Sequence, residues 1–310
     1  MKRTLCILCL LCMLFCSVSV RAEEPKADEP ASDLTFTIVW VPDTQRLVYQ
    51  EISHPQLTAI MDWTRENAQK KNILCMLQTG DFADNMYKEW QVKFCDESVA
   101  RLAPVPFLGI AGNHDIGYHT HNFAVWQERP FVISLPEENK YDGGKCVSGL
   151  FRSGETEIII VGLSYGMRAD ANALAWARAQ FAAHPDALGI LFCHELLTDR
   201  GQYLLGYPVL EEVVAKSPNV RLILCGHSHT ILRTAFTFDD DKDGTDERTV
   251  NTLLFDYQSE WNDKLGYMVL LTFDPSDRCL SVISYSPSLD DYICHDDAAD
   301  RECFVLEDAF

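Results

Sequence analysis

The sequence predicts an α/β domain. Two observations carry the prediction: short apolar runs alternate with helix-forming stretches, and several of those runs stop at His, Asp, Asn or Gln. Alternation of strands and helices is the signature of the α/β class. In open α/β sheets the carboxyl ends of strands are where ligands bind.

The elements follow in order. LTFTIVWV (Leu34–Val41) is rich in β-branched and aromatic residues and reads as a strand, and a helix-like stretch covers about Gln56–Lys70. NILCMLQT (Asn72–Thr79) is a second strand, Glu89–Leu102 an amphipathic segment, and VPFLGI (Val105–Ile110) a third strand. After a long irregular region come the strand TEIIIVGL (Thr156–Leu163), the helix ANALAWARAQFAAH (Ala171–His184) and the strand LGILFC (Leu188–Cys193). A helix near Val209–Ala215 leads into VRLILC (Val220–Cys225), and beyond Ile231 the pattern is of strands joined by turns. No internal repeat or second composition regime appears, so residues 34–310 read as one domain.

The first segment differs. Lys2 and Arg3 precede an apolar run from Leu5 to Val20, and Val20 and Ala22 stand two apart as at a cleavage site. The run is short of the roughly 20 residues a spanning helix needs. Residues 1–22 therefore read as a signal peptide, residues 23–33 as a polar, flexible tether, and the chain as exported, with no membrane span in the mature form.

The 46 acidic and 26 basic residues give a net charge of −20, which becomes −23 once Lys2, Arg3 and Arg21 are removed. That balance, with no basic stripe, argues against a nucleic-acid partner. Four of the 12 cysteines lie in the signal segment. Cys75, Cys193 and Cys225 sit inside apolar runs as small hydrophobes, whereas Cys95, Cys146, Cys279, Cys294 and Cys303 are the candidates for disulfides.

The strand ends carry the chemistry. TIVWVPDTQ ends at Asp43 and Gln45, CMLQTGDFAD at Asp81 and Asp84, PFLGIAGNHD at Asn113, His114 and Asp115, LGILFCHE at His194, and LILCGHSH at His227 and His229. A single histidine after a strand is an ordinary turn residue, but five such ends in series point to one crevice. Imidazoles, carboxylates and amide oxygens together suit borderline divalent cations such as Zn, Fe or Mn.

In that order DTQ, GDFAD, GNHD, FCHE and GHSH resemble the five signature blocks of the calcineurin-like metallophosphoesterases. DYQ (Asp256–Gln258) and YSP (Tyr285–Pro287) are similar to late blocks of an exported, mostly bacterial subgroup whose first motif is also DTQ. The resemblance implies a two-sheet sandwich flanked by helices and two transition-metal ions. Asp43, Gln45, Asp81 and His229 would hold one ion, and Asp81, Asn113, His194 and His227 the other, with Asp81 shared. Gln45 departs from the histidine that many members carry. An amide oxygen is the weaker ligand for zinc or iron, which favours a harder ion such as Mn at that site.

The activity implied is hydrolysis of a phosphomonoester or phosphodiester by attack of a metal-bound hydroxide on phosphorus. His114 would assist the leaving oxygen and Asp84 would orient its ring. Asp84 stands where purple acid phosphatases carry a tyrosine ligand, so no charge-transfer colour is expected. Arg46, Tyr118, His119 and His121 lie near the motifs, where contact with a small phosphorylated substrate competes with ordinary surface roles, the more usual use of such residues. A second reading, motivated by Gln45, is a non-catalytic binding protein on the same fold.

Apart from these motifs, Asp239, Asp241 and Asp243 alternate before Gly244 like the start of a calcium loop, but Val250 stands where an EF-hand carries its bidentate Glu. A bound calcium there competes with the reading of a solvated acidic turn.

Overall fold

The computed structural model describes residues 35–117, 119–204, 208–259, 266–293 and 299–310. The segments expected to be signal peptide and tether, with Tyr118 and Cys294, lie outside the described residues.

The first half of the chain runs β1 (Phe36–Val41), α1 (Gln45–Tyr49), α2 (His54–Asn67), β2 (Ile73–Gln78), α3 (Glu89–Ala100), β3 (Phe107–Gly109), α4 (Ala124–Gln127), α5 (Pro130–Ile133), β4 (Lys140–Tyr141) and β5 (Cys146–Ser153). It continues with β6 (Thr156–Leu163), α6 (Ala171–Ala183), β7 (Leu188–Cys193), α7 (Val209–Glu212), β8 (Val220–Cys225), β9 (Ile231–Phe238) and β10 (Arg248–Phe255). The last part holds β11 (Met268–Asp274), β12 (Cys279–Ser286), β13 (Asp291–Tyr292), α8 (Ala299–Glu302) and β14 (Cys303–Leu306).

Among the described residues the strands form two seven-stranded mixed sheets. One has the order β13-β12-β11-β1-β2-β3, with β14 also on β12; the other has the order β4-β5-β6-β7-β8-β10-β9. Strands β1, β2 and β3 are mutually parallel, as are β6, β7, β8 and β10. Their carboxyl ends thus gather along one rim.

Strand periodicity builds the layers. Phe36, Ile38 and Trp40 of β1 face the other sheet and pack with Ile158, Ile160, Ile190, Phe192, Leu222 and Leu224. Val39 and Val41 face the opposite way, onto Leu57, Ile60 and Met61 of α2. On the far sheet Val161, Leu191 and Ile223 pack under Ala173, Leu174, Ala177 and Phe181 of α6. The result is helix, sheet, sheet, helix. Strands covered on both faces read as unbroken apolar runs, and each large side chain so buried contributes about 1.5–3 kcal/mol.

The helices are amphipathic at 3.6-residue spacing. Leu57, Ile60, Met61 and Thr64 form the buried stripe of α2, which begins at His54 with Pro55 in its first turn and ends three residues before the expected Lys70. Asp170 caps α6, its carboxylate accepting the N–H groups of Asn172 and Ala173 at 2.9 Å each. Such a cap contributes about 1 kcal/mol.

Two expectations need correction. The region read as irregular before Thr156 contains the eight-residue strand β5, whose sequence CVSGLFRS mixes Ser, Gly and Arg with apolar residues and shows no continuous run. The disulfide candidates divide: Cys95 and Cys146 are free and buried, Cys279 is free, and Cys303 is disulfide-bonded. Cys95 belongs to the buried face of α3 and Cys146 packs among the residues under α6, so both act as small hydrophobes. Cys75, Cys193 and Cys225 are buried and free as expected.

Candidate metal centre

Five strand ends deliver polar groups to the rim: β1 to Asp43, β2 to Asp81, β3 to Asn113, β7 to His194, and β8 to His227 and His229. The turns are tight. A Cβ on Gly226 would lie 2.1 Å from Asp43 Oδ1, and one on Gly112 would lie 2.1 Å from Asp81 Oδ1, so only glycine lets these backbones approach the carboxylates. Asp81, His227 and His229 adopt φ of 52°, 71° and 46°. Such left-handed residues cost about 1–3 kcal/mol each and cluster at functional sites.

His194 is fully buried, and its Nδ1 donates to the Thr79 carbonyl at 2.9 Å. Its Nε2 therefore presents a lone pair. That nitrogen faces Asn113 Oδ1 at 2.9 Å, His227 Nδ1 at 3.1 Å and Asp81 Oδ1 at 3.5 Å. Burial holds both imidazoles neutral, with pKa values pushed down to about 3. Acceptors that converge in this way ask for a cation between them, and Asp81, His194 and His227 can each turn a ligand atom to within 4.8 Å of the others.

On the other side of Asp81, Gln45 Nε2 donates to Asp81 Oδ2 at 3.2 Å. Gln45 Oε1 is buried and has no hydrogen-bond partner among the described residues. A buried orphan acceptor ordinarily costs about 1–3 kcal/mol, a cost that a coordinated ion removes. Asp43 accepts the His227 N–H at 3.2 Å and Gln258 Nε2 at 3.4 Å. Burial, followed by repulsion from Asp256 and Asp81, pushes the Asp43 carboxyl well above the usual range, and burial lifts Asp81 to about 7. Buried acids so short of positive charge, beside an orphaned amide oxygen, fit divalent cations. His229 has a half-exposed ring whose Nε2 is 3.9 Å from Asp256 Oδ2, and the His229 backbone N–H donates to that oxygen at 3.0 Å.

His114 is held differently from the expectation. Its Nδ1 lies 3.0 Å from the Asp84 carbonyl oxygen and 3.5 Å from the Asp84 carboxylate, so backbone more than side chain orients the ring. Burial opposes its cation, but Asp81, the Asp84 carbonyl and the Asp84 and Asp115 carboxylates overcome this and raise its pKa above the ordinary imidazole value. His114 lines a cavity of about 300 Å³ together with Asp84, Asn85, Tyr87, His119 and Thr120. His121 packs edge-on against Tyr165, and Arg46 lies on α1.

Other residues complete the rim. Asp115 is fully buried and accepts the N–H groups of Phe82, Ala83 and Gly112 at 2.8–3.1 Å, tying the β2 and β3 turns together. Asp256, after β10, braces His229 and Gln258. Glu195 stands beside His227 and pairs with Arg168. Position beside a motif histidine was the only sequence signal for Glu195, and Arg168 had none.

Asp239, Asp241 and Asp243 do come together, joined by Glu247, within 4.8 Å. They lie in the β9–β10 turn, at the end of that hairpin away from the strand-end rim. Their carboxylates accept the loop's own N–H groups at Asp243, Gly244 and Thr245. A larger cavity of about 610 Å³ opens where β6, β7 and β8 begin, lined by Glu155, Glu157, Arg221 and Arg278 and remote from the clustered histidines.

Residues 36–230 match the family described as calcineurin-like phosphoesterase. The chain belongs to the calcineurin-like phosphoesterases. Members of this family are typically dimetal-dependent phosphoester hydrolases, which agrees with the Asp and His cluster on the rim. The family fold recurs in the purple acid phosphatase of yellow lupin (Lupinus luteus) seeds, with TM-score 0.58 and 13% identity over 90% of this chain and 55% of that one. A dimetal phosphatase from Danio rerio shares it, with TM-score 0.57 and 13% identity over 88% of this chain and 98% of that one. YvnB of Bacillus subtilis (strain 168), an uncharacterized protein, is 30% identical over 270 residues, which are 84% of this calcineurin-like chain and 20% of YvnB. The chain thus spans about one fifth of the length of that relative.

Proposed function

We propose that this chain is an exported phosphoesterase that hydrolyses a small phosphorylated ester with two divalent transition-metal ions. Asp43, Gln45, Asp81 and His229 hold one ion and Asp81, Asn113, His194 and His227 the other, with Asp81 between them. The observation that carries the reading is the convergence of Asn113 Oδ1, His227 Nδ1 and Asp81 Oδ1 within 2.9–3.5 Å of His194 Nε2. The Gln45 amide oxygen, buried and orphaned on the other side of Asp81, supports a second ion.

Such a pair of ions supplies Lewis acidity toward a phosphoryl oxygen and makes a water molecule acidic enough to react near neutral pH. The chain supplies the rest. Neutral imidazoles and buried carboxylates would hold the ions and so set where they meet a phosphate. His114, on the wall of the 300 Å³ cavity, is placed to give a proton to the leaving oxygen, and the cavity receives the alcohol that departs. The net charge of −20 discourages large polyanions and suits a small substrate drawn in by the ions. Export is supported by Lys2 and Arg3 ahead of the apolar run Leu5–Val20.

The test is hydrolysis of nitrophenyl phosphate and bis-nitrophenyl phosphate by protein loaded with Mn, Zn or Fe. Turnover of either ester supports the proposal and separates monoester from diester preference. Stoichiometric metal binding without turnover of any phosphoester favours the binding-protein reading instead.

A further inference from the structure

Taking the rim as a phosphoester hydrolase, we infer that the departing alcohol of its substrate carries a flat, uncharged ring, and that Tyr87 is the side chain that selects it.

The cavity of about 300 Å³ beside the rim is walled by His114, Asp84, Asn85, Tyr87 and Thr120. On the hydrolase reading His114 protonates the leaving oxygen, so whatever fills this cavity is attached to that oxygen. The volume lies at the small end of ligand pockets and suits one or two rings.

Tyr87 is fixed before any ligand arrives. The Thr120 hydroxyl donates to the Ile116 carbonyl at 3.0 Å, so its oxygen accepts the Tyr87 hydroxyl at 3.2 Å. The Tyr87 backbone N–H donates to Asn85 Oδ1 at 2.9 Å. Gly117, at φ 78°, lets the ring lie against the backbone, since a Cβ there would stand 2.8 Å from Tyr87 Cε2. Tyr87 is nevertheless 50% exposed, which leaves part of the ring for a partner.

Two more exposed rings extend this surface. Lys88, next in the chain to Tyr87, holds its Nζ 5.7 Å from the Tyr49 ring centroid. Trp90 lies 6.3 Å from the His54 ring, which bonds to the carbonyl of Val48 beside Tyr49 at 2.9 Å. Tyr49 is 53% and Trp90 40% exposed. Exposed apolar surface continuous with a site marks where a ligand lies, and an aromatic ring stacked on Tyr87 gains more than its buried area alone.

The wall disfavours charge and hydroxyls. Thr120, the Tyr87 hydroxyl and Asn85 Oδ1 are already bonded to protein groups, which leaves little for a hydroxyl-rich alcohol. The Asp84 carboxylate repels a second phosphate or a carboxylate, and Lys88 repels a cation.

Kinetics of the metal-loaded protein on phenyl, β-naphthyl and meta-carboxyphenyl phosphate, each as monoester and as methyl diester, test this, because the three phenols are of similar acidity. The naphthyl ester should exceed the phenyl ester about tenfold in kcat/KM, chiefly through KM, with the carboxyphenyl ester below both. Tyr87→Ala should shrink the naphthyl preference to about twofold at unchanged metal content, and Tyr87→Phe should keep it. A merely structural role would lower all three esters alike. Wild-type protein that hydrolyses the three esters equally overturns the inference without recourse to any variant and spares the hydrolase. A naphthyl preference that survives Tyr87→Ala overturns the role of Tyr87. No turnover of any ester overturns the hydrolase reading and the inference together.

Discussion

Gln45 and Asp81 share one hydrogen bond across 3.2 Å, and the amide oxygen left over on Gln45 is buried with no hydrogen-bond partner among the described residues. In the proposed reading this orphan oxygen is a weak ligand of one ion. Gln45→Ala should lower metal content from about two ions per chain toward one, while circular dichroism of the metal-free protein stays unchanged. Elemental analysis after dialysis reads the outcome, and an undiminished second ion would remove Gln45 from the ligand set.

In the proposed reading His114 acts on the leaving group. His114→Ala should reduce turnover about 10²–10⁴-fold with metal content intact. Asp84→Ala should cost less, because the Asp84 carbonyl, which the substitution keeps, is the nearer partner of His114 Nδ1. Steady-state kinetics on an activated aryl phosphate would show it. Equal losses in the two variants would return the orienting role to the carboxylate.

Gly226→Ala introduces a methyl group 2.1 Å from Asp43 Oδ1. The carboxylate must move, so metal content and activity should both fall while secondary structure persists. A fully loaded, active G226A enzyme would show that Asp43 is not held where the ion sits.

Away from the site, Arg248 is buried and forks onto Asp240, with both nitrogen–oxygen distances 2.7 Å. The Arg248 hydrogen bonds, followed by its charge, hold the Asp240 carboxyl below its ordinary value of 3.8. A depressed carboxylate adds stability that is full above that ordinary value and disappears as pH falls through the lowered one. Asp240→Asn should therefore destabilise the protein by about 1.5–3 kcal/mol at neutral pH, with the gap to wild type closing below about pH 4. Urea unfolding at several pH values measures this. A gap that is independent of pH would place the effect elsewhere.

Most of the fold could be read from the sequence because strands covered on both faces must be apolar throughout, and such runs are visible with their ends. Trp40, Phe192 and Leu224 mark them plainly, and the residues that follow are the candidate ligands. The remaining features have no local signature. Strand β5 lacks an apolar run, so CVSGLFRS resembled a loop. Arg168 and Glu195 are 27 positions apart in sequence and meet only because β6 and β7 are parallel neighbours with adjoining ends. The nearer Asp84 partner of His114 is its carbonyl, and a backbone atom carries no residue preference to read. Cys95 and Cys146 lie outside the unbroken apolar runs, each with one charged and one apolar neighbour, although the fold buries them.

The most direct test of the dinuclear centre is the metal content of the purified protein, compared with an Asp81→Asn variant and set beside ester hydrolysis. The account predicts about two transition-metal ions per chain in the wild type, with metal and activity lost together in the variant. One ion or none in the wild type, with no activity restored by Mn, Zn or Fe, would contradict it.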